Sequence, residues 1–345
     1  MKFGIYYNYE ISGGKWATAY SHSLEEVALA EKYGFDVVAV AEHHFQEFGI
    51  TPSPLVACAA LAAVTKRIRV ASGVVLLPLH HPIRVAEDAT LVDIISKGRF
   101  ILGLGIGWNR GEADGFQVKW NQRKSRFEEG LTIVQQLLTA RNVSYNGKHF
   151  TLNNVTLMPR PVQNPLPIWL AAIAEPAVRR AGRLGYIWMQ PPILPLKILK
   201  QRIEAYKEEL KASTGKNYAD VERPLRREAF IDADSTEAYE YGRESTEEHY
   251  RYYLREGLEL LDEEGKTLKI SDVESLWGIL KNRYIIGNPD EFIGQAERFA
   301  KETGATTLVL KLHSMDPDLY HPKLLKAIEL IGTKVIPYFN GSGKK

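Results

Sequence analysis

Cysteine is nearly absent: Cys58 is the one instance in 345 residues, and it lies inside the apolar run 55–64. No disulfide can form within the chain, and a small buried hydrophobe suits that setting better than a nucleophile or a metal ligand. An excess of either charge is missing too, since 44 Lys and Arg face 42 Asp and Glu, a formal +2. With no basic stripe interleaved with aromatics, the sequence argues against a nucleic-acid partner. No segment approaches the roughly 20 apolar residues of a membrane helix. The start, MKFGIYYNY, lacks the apolar core and small-residue cleavage site of a signal peptide. The expectation is a soluble cytoplasmic protein with no membrane association.

What is present is an alternation of short apolar runs and longer helical patterns from end to end. Strand candidates fall at 3–7, 36–41, 69–74, 100–105, 167–171, 186–190, 227–232 and 307–312, with helical segments between them. Eight such units predict an α/β chain folded as a (β/α)8 TIM barrel, a single domain over 1–339. Two stretches stand outside that count. Residues 143–152 alternate around Asn146-Gly147, which predicts a two-residue hairpin. Residues 256–288 form a charge-rich insertion, expected at the C-terminal mouth where such excursions shape a substrate entrance. The polar end, 340–345, reads as a flexible tail.

The C-terminal ends of barrel strands face the active site, so residues there are the candidates for chemistry. The second strand ends in Glu42-His43-His44. An imidazole in that position can exchange protons near neutral pH, and an adjacent carboxylate can fix its tautomer; two packed or solvent-facing histidines fit the position equally. The fourth strand runs into Gly103-Leu104-Gly105-Ile106-Gly107, whose alternate glycines allow a flat ring or a phosphate close to the backbone. The G-x-G-x-G spacing at the fourth strand does not match a dinucleotide fingerprint. Gly73 and Val74 end the third strand. His80 and His81 follow in a loop, and without a third ligand at metal spacing nearby they read as solvated imidazoles, so no metal is expected. Ala172, Ile173 and Ala174 precede a helix whose free N–H groups would attract a phosphate, as every barrel helix would.

Three ordered segments, A-E-H-H-F-Q-E-F-G at 41–49, L-P-L-H-H-P-I-R-V-A-E-D at 77–88 and S-K-G-R-F at 96–100, resemble the bacterial-luciferase-like flavin-dependent monooxygenases, and their α-subunits most closely. The resemblance implies a barrel with reduced FMN at its C-terminal mouth, over a non-prolyl cis bond that falls here on Gly73-Val74. It implies His43 as the catalytic imidazole, with Glu42 and His44 supporting. Partners implied are a small organic substrate such as an aldehyde or ketone, oxygen, and a separate NAD(P)H-dependent flavin reductase. A homodimer through helices 54–64 and 83–95 is also implied.

The chain departs from the family at the phosphate. Ile106 stands where luciferase supplies an arginine, Gly105 where it has a reactive thiol, and Ile173 and Ala174 where it offers a glutamate and a serine. Phosphate would then rest on backbone amides around Gly105, Ile106, Gly107 and Ala172–Ala174, or on Arg110. Related barrels use a deazaflavin for hydride transfer, and the 103–109 loop resembles theirs as well; Glu42-His43-His44 favours FMN. Two alternatives therefore stand beside the monooxygenase: a deazaflavin-dependent oxidoreductase and a non-catalytic flavin-binding barrel.

Overall fold

A computed structural model describes residues 1–11, 13–46, 51–268, 275–312 and 317–341. Parts of the 41–49 motif, of the 256–288 insertion and of the 340–345 tail lie outside the described residues. Among the described residues there are twelve strands: β1 (Lys2–Tyr7), β2 (Val37–Val40), β3 (Arg69–Ser72), β4 (Val75–Leu76), β5 (Phe100–Gly105), β6 (Val143–Asn146), β7 (Thr151–Val155), β8 (Ile168–Ala171), β9 (Ile187–Met189), β10 (Pro224–Ile231), β11 (Ile285–Gly287) and β12 (Thr307–Lys311).

The principal sheet is parallel throughout and runs β11-β10-β12-β1-β2-β3-β5-β8-β9, with β4 beside β5. It closes on itself where Gln190, just past β9, pairs with Leu225 of β10; the Gln190 N–H donates to Pro224 and the Arg226 N–H to Gln190. All eight expected strands are there, and the chain forms the expected (β/α)8 barrel. Alternation decides what faces where. On β2, Val37 and Ala39 point into the barrel with Tyr6, Ala71, Ile101 and Trp169, while Val38 and Val40 face the outer shell of helices. That period of two, buried on both faces, is why the strands read as continuous apolar runs.

Two expectations need correction. The hairpin β6–β7 pairs Asn146 with Thr151, so its loop has four residues, 147–150, and the turn is not a two-residue one. The Glu129 carboxylate accepts N–H bonds from Lys148, His149 and Phe150, which substitutes for ladder bonds and holds the longer loop. The insertion also does not stay outside the sheet: its last residues form β11, which pairs with Ala229, Phe230 and Ile231 beyond the point where β9 leaves β10.

Candidate active site

The strand ends gather the expected residues at one mouth. Beyond β2 the His43 side chain is 12% exposed, and its Nδ1 lies 3.1 Å from Glu112 Oε1. The same oxygen accepts the His44 N–H at 3.0 Å and the Gln46 side-chain amide at 3.0 Å. Glu112 sits on the short helix Arg110–Gly115, which follows the glycine loop and is capped by Asn109. One buried carboxylate from the fourth strand's loop thus fixes the 43–46 segment. An Nδ1–H directed at Glu112 leaves the lone pair of a neutral His43 ring on Nε2. Trp108 and Tyr253 flank that ring, at 6.0 and 6.4 Å between centroids.

The carboxylate that orients His43 is therefore Glu112, and not the adjacent Glu42 that the sequence offered. Glu42 turns away: its Oε1 lies 2.7 Å from His44 Nε2 and 2.6 Å from His80 Nε2, and its Oε2 accepts the Leu76 N–H at 2.9 Å. Burial pushes the Glu42 carboxyl up, but the His44 and His80 hydrogen bonds outweigh it and hold it below its ordinary value. His80 moves the opposite way: burial pushes it down, and the bond to Glu42 leaves it raised. The reason for setting His80 aside, the lack of a third ligating group nearby, fails in space, because Glu42 and His44 both stand beside it.

The Gly73-Val74 bond is cis. The Gly73 carbonyl accepts from the Tyr6 hydroxyl at 2.5 Å, and a Cβ at Gly73 would come within 3.0 Å of the Tyr6 ring and 3.1 Å of Ala39. Any larger side chain would have to push the Tyr6 ring or Ala39 by a few tenths of an ångström. Contacts are closer further along. A Cβ on Gly103 would meet the Ser72 carbonyl at 1.9 Å, and one on Gly105 would meet Val74 at 2.5 Å. These two glycines also serve the approach of neighbouring strand segments. Gly107 differs, with φ +79 and no atom nearer than 3.8 Å to its would-be Cβ.

Around this point Val74, Ile106 and Trp108 are half-buried, Ala172 is buried, and Ile173 and Ala174 are exposed. Such a part-open apolar rim fits a flat ring system. For a phosphate, the helix Glu175–Arg183 has no side-chain cap at its N-terminus. The Arg110 side chain is 73% exposed and pairs with Asp114 at 3.6 Å, so it faces solvent. Sequence reading missed Arg202, which reaches the head of that helix through Glu175 at 2.5 Å.

It also missed the opposite wall of the mouth. There the Lys311 ammonium lies 2.5 Å from Glu10 and 3.7 Å from Glu228, and His249 Nε2 lies 2.7 Å from Glu10. Arg226 pairs with Glu228 at 3.1 Å and lies 4.0 Å over the Tyr6 ring. The Tyr253 hydroxyl donates to Glu10 and so links this lattice to the ring beside His43. The signal was a set of charged residues, Arg226, Glu228 and Lys311, inside strands otherwise apolar.

The chain matches the luciferase-like monooxygenase family over residues 1–307. It is similar to the alkanal monooxygenase beta chain of Photobacterium leiognathi, 27% identical over 91% of this chain and 93% of that one. An uncharacterized protein of Sinorhizobium fredii, y4vJ, is 33% identical, and the match spans about half the length of each, 49%. Among solved structures, monooxygenase RslO1 from Streptomyces bottropensis superposes with TM-score 0.87 at 24% identity, over 98% of this chain and 100% of that one. The oxygenating constituent of 3,6-diketocamphane monooxygenase of Pseudomonas putida, solved with FMN, gives 0.80 at 19%, covering 98% of each. The coenzyme F420-dependent tetrahydromethanopterin reductase of Methanopyrus kandleri gives 0.73 at 20%, over 98% of this chain and 99% of that one. The family match over most of the length, with the barrel and its strand-end histidine, makes this chain a member of the luciferase-like monooxygenase family.

Proposed function

We propose that this protein is an FMNH2-dependent monooxygenase that oxidises a small organic substrate, an aldehyde, ketone or similar, with molecular oxygen. The observation that carries this reading is the His43–Glu112 pair at the end of β2, beside Gly73-Val74, in a chain of this family. Reduced FMN, when bound, supplies the electrons that activate oxygen. The part-open side chains of Val74, Ile106 and Ile173 would hold its ring, and backbone amides of the Gly105–Gly107 and Ala172–Ala174 loops its phosphate. With few cationic side chains there, weak affinity suits a cofactor delivered already reduced by a separate NAD(P)H-dependent flavin reductase.

His43 is assigned as the acid–base group. Glu112 holds the ring by Nδ1, and Nε2 accepts or returns a proton at the reacting substrate. Glu42 and His44 support it: their mutual hydrogen bond fixes the backbone from which His43 projects. Trp108 and Tyr253 restrict water around the ring.

Val56, Val64, Leu91 and Ile95 are exposed on the helices Pro54–Val64 and Pro82–Ser96, which supports a homodimer through that face. No helix among the described residues is long and apolar enough to cross a membrane, and a cytoplasmic enzyme accords with this.

Deazaflavin-dependent hydride transfer is the second reading, favoured by the 103–109 loop and by the fold shared with the F420-dependent reductase. Anaerobic titration with FMNH2 and with the deazaflavin, followed by oxygen uptake, separates the two. Tighter binding of FMNH2 and substrate-dependent oxygen consumption are expected. Tighter deazaflavin binding with no oxygen uptake would replace the first reading by the second.

A further inference from the structure

Glu42, His44 and His80 form a cluster that the proposed chemistry does not use directly. The Glu42 side chain is fully buried, His44 nearly so, and His80 is 26% exposed. Among the described residues the ion-pair partners of Glu42 are these two imidazoles, with no lysine or arginine. A buried carboxylate needs a compensating partner, and here the ion-pair partners are two imidazoles that share one of its oxygens.

The arrangement of donors is specific. Both rings direct Nε2 at a single oxygen, Glu42 Oε1, and the three candidate ligand atoms lie within 4.8 Å of one another. The second oxygen, Oε2, is held by the Leu76 N–H, the kind of outer hydrogen bond that orients a ligating carboxylate. Phe116 packs its ring against His44 at 4.6 Å and covers the cluster from one side. His80, on the loop after the single turn Leu77–Leu79, leaves the other side reachable from solvent.

We propose that Glu42, His44 and His80 bind one Zn2+-like transition-metal ion, with water in the fourth position. Two imidazoles and a carboxylate are a recurrent zinc ligand set, and ions of this row prefer such N/O donors. Bonds of about 2.0–2.1 Å in a tetrahedron place ligand atoms about 3.3 Å apart. The present N···O separations of 2.7 and 2.6 Å need to widen by less than about 1 Å, which the loop carrying His80 permits. The ion would clip the end of β2 to the segment after β4. It would not displace the His43–Glu112 contact, which uses a different carboxylate.

The test uses the full chain without a polyhistidine tag, equilibrated with Zn2+ or Co2+ and dialysed. Wild type should retain one ion per chain, melt higher with Zn2+ than in chelator, and give the visible absorption of four-coordinate Co2+. Loss of an outer partner typically lowers metal affinity 10- to 100-fold, so loss of a ligand in His80→Gln should lower it by at least about 100-fold. His81→Ala removes the neighbouring ring, whose Nδ1 caps Ile83, and should leave the affinity unchanged. His80→Cys retains a ligand and should add a thiolate-to-Co2+ charge-transfer band. The proposal is overturned if wild type retains no more metal than His80→Gln, if His81→Ala loses as much, or if His80→Cys binds Co2+ without that band. Any of these results would leave the cluster a hydrogen-bonded node alone.

Discussion

The two walls of the mouth solve the problem of buried polarity in opposite ways. The wall built from β2, β4 and the helix Arg110–Gly115 carries imidazoles on carboxylates, His43 on Glu112 and His44 and His80 on Glu42. Its charges change by gaining or losing a proton. The wall built from β1, β10 and β12 sets Lys311 and Arg226 against Glu10 and Glu228. That lattice sets two fixed cations against two carboxylates, with the His249 ring against Glu10 as well. Proton traffic belongs on the first wall and rigidity on the second, with Tyr253 in contact with both.

Substitutions can break this contrast. His43→Ala should lower turnover by roughly 100- to 10,000-fold while the melting temperature stays close to wild type; wild-type turnover would remove the first wall's claim to the chemistry. Lys311→Met on the second wall should act on stability, because buried Glu10 loses its ammonium partner, while Glu228 keeps Arg226. About 3–5 kcal/mol is expected in urea unfolding, and a loss below about 1 kcal/mol would show the lattice to be dispensable.

Glu112→Gln sharpens the contrast within the first wall. Weakening a charge-assisted hydrogen bond by about 1.5–3 kcal/mol corresponds to roughly 10- to 100-fold in rate. If Glu112 acts through His43, the double variant should be no slower than His43→Ala alone; an additional loss would give Glu112 a role of its own.

The smallest effect is expected at the far end of the barrel, where Glu222 pairs with Arg69 at 2.6 Å. Burial pushes the Glu222 carboxyl up, and the Arg69 hydrogen bond and charge bring it below its ordinary 4.5. A lowered carboxyl stabilises above the unfolded value and loses that contribution as pH falls through the folded one. Glu222→Gln should therefore cost about 1 kcal/mol at pH 7, and the gap to wild type should close as the pH drops below about 4. A gap unchanged across the acid range would mean that the charge is not what matters there.

Much of this was legible in sequence. The barrel strands are apolar runs because each is buried on both faces, and His43 could be placed because a strand end and an E-H-H segment coincide. Glu112 could not be found, since nothing local marks a carboxylate that folds back across 69 residues to meet an imidazole. Gly103 and Gly105 were visible, but their packing reason was not, because the Ser72 carbonyl and the Val74 side chain lie on adjoining strand segments. The strand β11 is only three residues long and ends a charged stretch, so its period carried no signal. At Asn146-Gly147 the turn preference was real, and the Glu129 carboxylate overrode it.

The handover from β9 to β11 along β10 divides the barrel between two sets of contacts. At Leu225 the wall is closed by Gln190; beyond it, Ala229–Ile231 take Ile285–Gly287 as their neighbour. The described residues between the helix Ser235–Arg255 and β11 tie that side of the entrance to the barrel: Leu260, Leu276 and Leu280 are buried with Phe230 and Ile193, and Arg283 donates to the Ile193 carbonyl. One side of the entrance is thus built from a segment that the His43–Glu112 pair does not use, so its shape and the position of His43 rest on separate contacts.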